Sequence, residues 1–351
     1  MHHNLVKQVL TKKEQLGVLR QTLKFSVANK FSAILNIVLT MVPVFLIFSI
    51  LSHLKSYECF VFIPLLALFF VRVFVLQHDC GHRSFFSSYF ANDFCGVILS
   101  IITGVAHHGW RTEHDWHHQV TGRLDRRGID LFNSPMQVSE AFSDPQRAAM
   151  VQQKIVFSNI AILGMLALLV ERKKVKGFFV FREKFIWPVN NSAQIARNLW
   201  LTNVLHLCFH VSLFWSLGFS RWIFIIIPSQ ILAGIIGSLL FWVQHNFEES
   251  YCADGTAWSY VNAALQGSSY LKLPPVLAWF TGNIGIHHVH HLNSKIPLYR
   301  LKEARNNVVE LLEVKPLSFK QLKSAFTHHF WNGSLSKRQT WLEVFPADGK
   351  V

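Results

Sequence analysis

The sequence predicts an all-α integral membrane protein, with four transmembrane helices in two hairpins, interfacial helices and a cytosolic helical cap. Three observations carry this expectation. The apolar residues fall in long blocks, the charged residues gather between and after them, and no hydrophilic half could fold alone as a soluble domain. Of 351 residues 51% are hydrophobic, including 31 Phe and 11 Trp. Blocks of about 18 or more apolar residues are long enough to cross a bilayer core as helices.

Taken in order, residues 1–30 carry Lys7, Lys12, Lys13, Arg20, Lys24 and Lys30. No apolar core appears in the first two dozen residues, so this segment reads as basic and cytosolic rather than as a cleavable signal. Residues 31–54 and 58–77 form the first hairpin, and 199–219 and 222–244 the second. Pro43, Pro64 and Pro228 lie inside these spans, where neighbouring helices can satisfy the freed backbone groups. Two weaker stretches, 94–106 and 155–170, are expected at the interface: the first is short, and the second is broken by Asn159 and Gly164. The membrane domain runs over 31–301. Beyond it, apolar and charged residues alternate, as in 301–314, which predicts a cytosolic helical cap over 302–351.

The net charge is +14. In a soluble chain that excess would suggest nucleic acid, but beside long apolar spans anionic lipid headgroups explain it better, and no nucleic-acid partner is expected. The hairpin turns carry little charge (Lys55 and Arg221), whereas the N-terminal, middle and C-terminal segments are basic. By the positive-inside rule both termini and the middle segment face the cytoplasm. The five cysteines form no CxxC pair and suggest no disulfide framework.

The 19 histidines are informative through their placement. His78 and His82 stand in HDCGH, directly after the second span. His114, His117 and His118 stand in HDWHH, and His287, His290 and His291 in HHVHH. His245 closes the fourth span. Residues three or four apart share a helix face, so each box aims its imidazoles at one centre. The adjacent pair in HxxHH diverges by about 100°, which suits ligands of two different metals. Neutral imidazole binds iron, zinc, copper or nickel. One tetrahedral ion takes four ligands, so nine candidates imply two ions. No HExxH is present, which argues against a zinc protease.

Parity tests the topology. All boxes must lie on one side of the membrane to meet. The first box follows two crossings and His245 follows two more, so neither 94–106 nor 155–170 can cross alone.

Through HDCGH, WRTEHDWHH, the Gln244–His245 pair and TGNIGIHHVHHL, the chain resembles the membrane fatty acid desaturase family over roughly residues 60–301. It is most similar to bacterial and plastid-type acyl-lipid desaturases. The resemblance implies two non-haem iron ions held by the nine histidines above, O2 as oxidant and an acyl chain, preferably of a membrane lipid, as substrate. It also implies an external electron donor: ferredoxin, a flavodoxin-like carrier or a separate cytochrome. No HPGG haem motif occurs, so no fused b-type cytochrome is expected. The expected site is the bacterial inner membrane, with the active site cytoplasmic. Some relatives place a water-bridging Asn one turn before the extra histidine. Here that position is Phe241, leaving Gln244 or Asn246 as substitutes. Asp79, Arg111, Glu113 and Asp115 are candidates for orienting the ligands. His206 and His210, one turn apart inside a span, are candidates for contact with the centre or the acyl tunnel, and Trp279, Phe280, Thr281 and Asn283 for the tunnel mouth. A di-iron acyl hydroxylase shares these ligands. A histidine-rich metal transporter is the alternative from another class, but its histidines should line a path through the bilayer.

Overall fold

Thr11 opens the first helix, α1 (Lys12–Thr22), through a capping box with Glu14 that satisfies donors at the helix start. A short 3-10 turn leads to α2 (Lys30–His53), capped by the Asn29 side chain on the Ser32 amide. A second 3-10 segment enters α3 (Phe62–Gly81). The chain continues as α4 (Tyr89–Thr103), α5 (His107–Val120) and α6 (Ala193–Leu217). The α7 helix (Phe219–His245) contains a π-helical turn at Trp222–Ile226. The short helices α8 (Tyr260–Gly267), α9 (Pro275–Phe280), α10 (His287–Leu292), α11 (Leu301–Asn307), α12 (Val309–Glu313) and α13 (Phe319–Ser324) follow. This computed structural model describes residues 10–123, 193–247, 250–253, 255–324, 329–332 and 337–340.

Among the described residues three helices are long and apolar enough to cross a membrane: Lys30–His53, Ser56–Gly81 and Phe219–His245. They match the expected spans 31–54, 58–77 and 222–244. The expected span 199–219 falls on α6, whose 25 residues would reach about 37 Å at 1.5 Å per residue. Asn203, His206 and His210 dilute its apolar character. Val38, Val42, Phe45 and Leu46 on α2 and Leu201, Val204 and Leu207 on α6 remain exposed, an apolar belt that suits lipid rather than water. The α3 helix is central, packed against α2, α4 and α7, and from Val71 to Gly81 nearly every side chain is buried.

The stretch expected at the interface over 94–106 is longer than its apolar core suggests. Ser88 caps α4 at the Ala91 amide, while Asn92 holds the Phe86 and Ser88 carbonyls, so the helix begins at Tyr89. It ends at Gly104, whose φ of +71° gives a left-handed cap, and α5 leaves at 111° to α4. The stretch 155–170 lies outside the described residues.

Two expectations are corrected. The chain is mostly helical but not all-α, because β1 (Ser250–Cys252) pairs in parallel with β2 (His329–Asn332), which pairs antiparallel with β3 (Lys337–Thr340). Among the described residues of the expected cap over 302–351, helices run as far as Ser324, and β2 and β3 follow. Phe330 and Trp331 favour a strand, and Asn332–Gly333 is a hairpin signal at the end of β2. The N-terminal segment is also tied to the rest of the chain: Asn293 Nδ2 donates to Thr22 Oγ1 and Ser26 Oγ at 3.0 and 2.9 Å.

Candidate metal centre

In box one His78 lies on the last turn of α3 and His82 caps its end; box two lies on α5, His245 at the end of α7, and box three on α10. The four segments converge where α3 is most deeply buried. All nine predicted histidines are buried there. One nitrogen each from His78, His82, His114 and His290 lies within 4.8 Å of the other three, and His117, His245 and His291 form a second such group. His118 joins the first group through His114, with Nε2 atoms 3.1 Å apart. His287 joins the second through His245, at 2.9 Å, and His117 Nε2 is 3.1 Å from the same His245 nitrogen. Two imidazole nitrogens about 2.0–2.1 Å from a shared metal and at right angles would sit roughly 2.9 Å apart. The spacing is therefore that of ligand sets around two centres.

The buried polar atoms support the same fit. His82 Nε2, both ring nitrogens of His290 and His291 Nε2 have no hydrogen-bond partner. Such groups cost stability unless something meets their lone pairs, and a cation would do so. Burial holds His287, His290 and His291 well below the ordinary imidazole pKa, so the rings are neutral and able to ligate at pH 7. In the unfolded chain they titrate near ~6.5. Protons then bind the unfolded state preferentially as pH falls below that value, so the stability of the metal-free protein should hold above pH ~7 and decline below ~6.5. Thermal unfolding across a pH series checks this; stability that rises on acidification would contradict it.

Each box is braced locally. Trp110 stacks on the His114 ring (4.4 Å, 20°) and covers Gly81, where a Cβ would come within 2.6 Å of the indole. This brace between boxes one and two was not anticipated, although Trp110 lies one helical turn before His114 and so shares its face. Asp93 was also missed. It accepts from Arg83, which follows box one, and from Arg111 of α5, each at 2.8 Å. Asp79 lies 3.8 Å from His78 Nδ1, beyond a hydrogen bond, and accepts instead from the Leu298 amide at 2.6 Å. Asp115 stands 3.7 Å from His82 Nδ1 and is half exposed. Arg111 thus braces the boxes through Asp93 rather than through a ligand, and the Glu113 side chain lies outside the described residues.

Neither substitute for a water-bridging amide is aimed at the histidines. Gln244 donates to the Ile284 carbonyl and Asn246 to that of Trp242. The Phe241 ring packs 5.1 and 5.2 Å from His117 and His245. His288, inside box three, points away from the cluster: its Nε2 donates to the Leu311 carbonyl at 3.3 Å, and burial, with Arg305 nearby, lowers its pKa to about 3. His107 is buried against Gly96. His206 and His210 do not reach the cluster; they bond the Ile101 carbonyl and Trp222. Phe280 and Trp279 pack on Phe69 of α3, and Asn283 takes a positive φ of 59° in the turn before box three.

Comparison with known proteins agrees with this geometry. The fatty acid desaturase family model matches residues 55–323, which contain every box. A fatty acid desaturase of Bacillus subtilis is 29% identical over 91% of this chain and 88% of its own length. An sn-1 oleoyl-lipid 12-desaturase of Synechocystis is 27% identical over 68% of this chain and 64% of its own. An sn-1 acyl-lipid omega-3 desaturase (ferredoxin) of Nostoc is 24% identical over 83% and 78%. With three membrane-compatible helices among the described residues and a buried histidine cluster, the chain belongs to the fatty acid desaturase family and is a membrane oxidoreductase that desaturates acyl chains.

Proposed function

We propose that this desaturase acts on the acyl chains of membrane lipids, using O2 and two iron ions held by its nine box histidines. His78, His82, His114, His118 and His290 would hold one ion, and His117, His245, His287 and His291 the other. The observation that carries this reading is the close approach of ring nitrogens from four separate segments inside a buried cluster. The acyl-lipid preference is supported by the Synechocystis and Nostoc relatives, whose names specify that substrate.

A pair of irons would supply an oxidant able to take two hydrogens in turn from an unactivated CH2–CH2 unit, which no side-chain acid or base can do. The protein's own contribution is to fix the rings and keep them dry. Trp110 covers His114 of the first set, and Phe241 covers His117 and His245 of the second, with apolar surface. Tyr260 donates to the His291 carbonyl at 2.6 Å, and the His287 and His288 amides both donate to the Ser269 carbonyl, which sets the start and end of box three. Electrons would come from a soluble carrier; the name of the Nostoc relative specifies ferredoxin.

In the proposed topology α6 makes a fourth crossing, while α4 and α5 dip into the bilayer and return. Both termini and the metal centre then face the cytoplasm of the inner membrane. The membrane domain spans 31–301, flanked by the basic segment 1–30 and the C-terminal region 302–351. Expression with ferredoxin and its reductase in a bacterium lacking desaturases should yield a new unsaturated fatty acid, located by gas chromatography and mass spectrometry. A hydroxylated acid would overturn desaturation in favour of hydroxylation. Unchanged lipids, with folded and iron-loaded protein verified, would overturn acyl oxidation altogether.

A further inference from the structure

The C-terminal end of α4 presents an unusual problem. The last carbonyls of a helix have no intrahelical partner, and inside a bilayer no water replaces one. Side chains from three different helices meet these groups and those just beyond. His206 of α6 bonds the Ile101 carbonyl through Nδ1 at 2.7 Å, and Gln230 of α7 donates to the Ile102 carbonyl at 3.3 Å. Gln77 of α3 donates to the Val105 carbonyl at 2.8 Å and accepts from Thr103 Oγ1 at 2.6 Å. Gly104 lets the clasp close, since a Cβ there would lie 2.9 Å from His206 Nε2. In the proposed topology His206 and Gln230 lie inside spans, and Gln77 ends one, directly before His78.

The hydrogen bonds also fix where each proton sits. The Ile101 carbonyl can only accept, so His206 Nδ1 carries the hydrogen and its Nε2 is a lone pair. His210 Nε2, 3.2 Å away, must then donate to it, leaving His210 Nδ1 to accept from the Trp222 indole at 3.0 Å. The chain Trp222→His210→His206→Ile101 therefore runs in one direction, with both rings neutral and in opposite tautomers. A second proton on either ring would set one donor against another.

We infer that this intramembrane clasp makes His206 and His210 positioning residues for the second histidine box. The bend at Gly104 is followed after two residues by α5, which carries His114, His117 and His118, so fixing the carbonyls before the bend fixes the direction in which α5 leaves. Its consequence for the metal rests on the two-iron reading; the clasp itself does not.

Asparagine and glutamine separate the two functions of His206. The amide nitrogen of Asn reaches the place of Nδ1 and can donate, whereas the amide oxygen of Gln, with the group suitably turned, reaches the place of Nε2 and can accept. His206→Asn should therefore keep the bond to Ile101, whereas His206→Gln should keep the link to His210 and lose the helix cap. In full-length protein in lipid nanodiscs, amide hydrogen exchange over residues 104–110 should match wild type in H206N and be at least ~10-fold faster in H206Q. Gln230→Leu, which removes an independent cap, should also speed exchange there. Iron content and the ferrous near-infrared circular dichroism should be preserved in H206N and altered in H206Q. Equal exchange in the Asn and Gln variants, or wild-type exchange in all three, overturns the clasp. The expected exchange pattern in a protein that binds no iron would uphold the clasp and overturn the metal reading.

Discussion

Replacing His290 with alanine is expected to abolish double-bond formation, lowering product at least ~100-fold, and to strip metal from the protein. His290 is fully buried, and its ring centroid lies 4.6 Å from those of His78 and His118 and 4.8 Å from that of His82. It is the box-three member of the first set, joining helix α10 to rings on α3 and α5. On the proposed reading, removing it would delete a ligand and leave a void among buried polar rings. Even residues that merely support a ligand commonly change metal affinity or activity 10–100-fold, so losing a ligand should cost more. The neighbouring His288 provides the contrast. It bonds the Leu311 carbonyl and faces away from the cluster, so His288→Ala should lower stability by about 1–3 kcal/mol while retaining metal. Product analysis, metal quantification and thermal unfolding on both variants check the pair. Equal metal loss from both would contradict the separation of roles.

Gly285→Ala is expected to be the most damaging small substitution outside the histidines. A Cβ at this position would lie 2.4 Å from the Leu271 carbonyl oxygen, a backbone atom that no rotamer change can move. The Leu271 amide donates to the Gly285 carbonyl at 2.7 Å, and Tyr270 bridges Ile286, so the two segments pair tightly just before box three. Forcing them apart should cost about 1–3 kcal/mol and displace His287, hence reduce metal content as well as melting temperature. Gly237→Ala is the control. Nothing lies within 4 Å of its Cβ position in α7, so alanine there should be neutral or stabilising by up to ~1 kcal/mol. Similar losses from the two substitutions would show that packing at box three is not the cause.

The histidine site was legible because its signal is local. HxxxH and HxxHH place rings on one face of a helix whatever the rest of the fold does, and the spans beside them announce themselves by length and apolarity. What supports the site was less legible because it depends on pairs distant in the chain. Nothing near Asp93 in the sequence announces that it joins Arg83 to Arg111. The pairing of Gln77, His206 and Gln230 with one helix end likewise requires three helices to be placed first. His206 and His210 were visible as polar residues in a span, but their partners were not. The strands were missed for the opposite reason: the apolar and charged alternation over 301–314 drew the whole C-terminal region into one helical reading. The Asn332–Gly333 signal was local and present, and the sequence reading did not use it.

The central claim is that the nine box histidines hold two metal ions in sets of five and four. Its most direct test is iron quantification with Mössbauer spectroscopy on the purified, reconstituted protein, beside His290→Ala. The account predicts two irons per chain in two distinct ligand environments, with the environment containing His290 lost first in the variant. A single iron per chain, or a variant that keeps both irons with an unchanged spectrum, would contradict it.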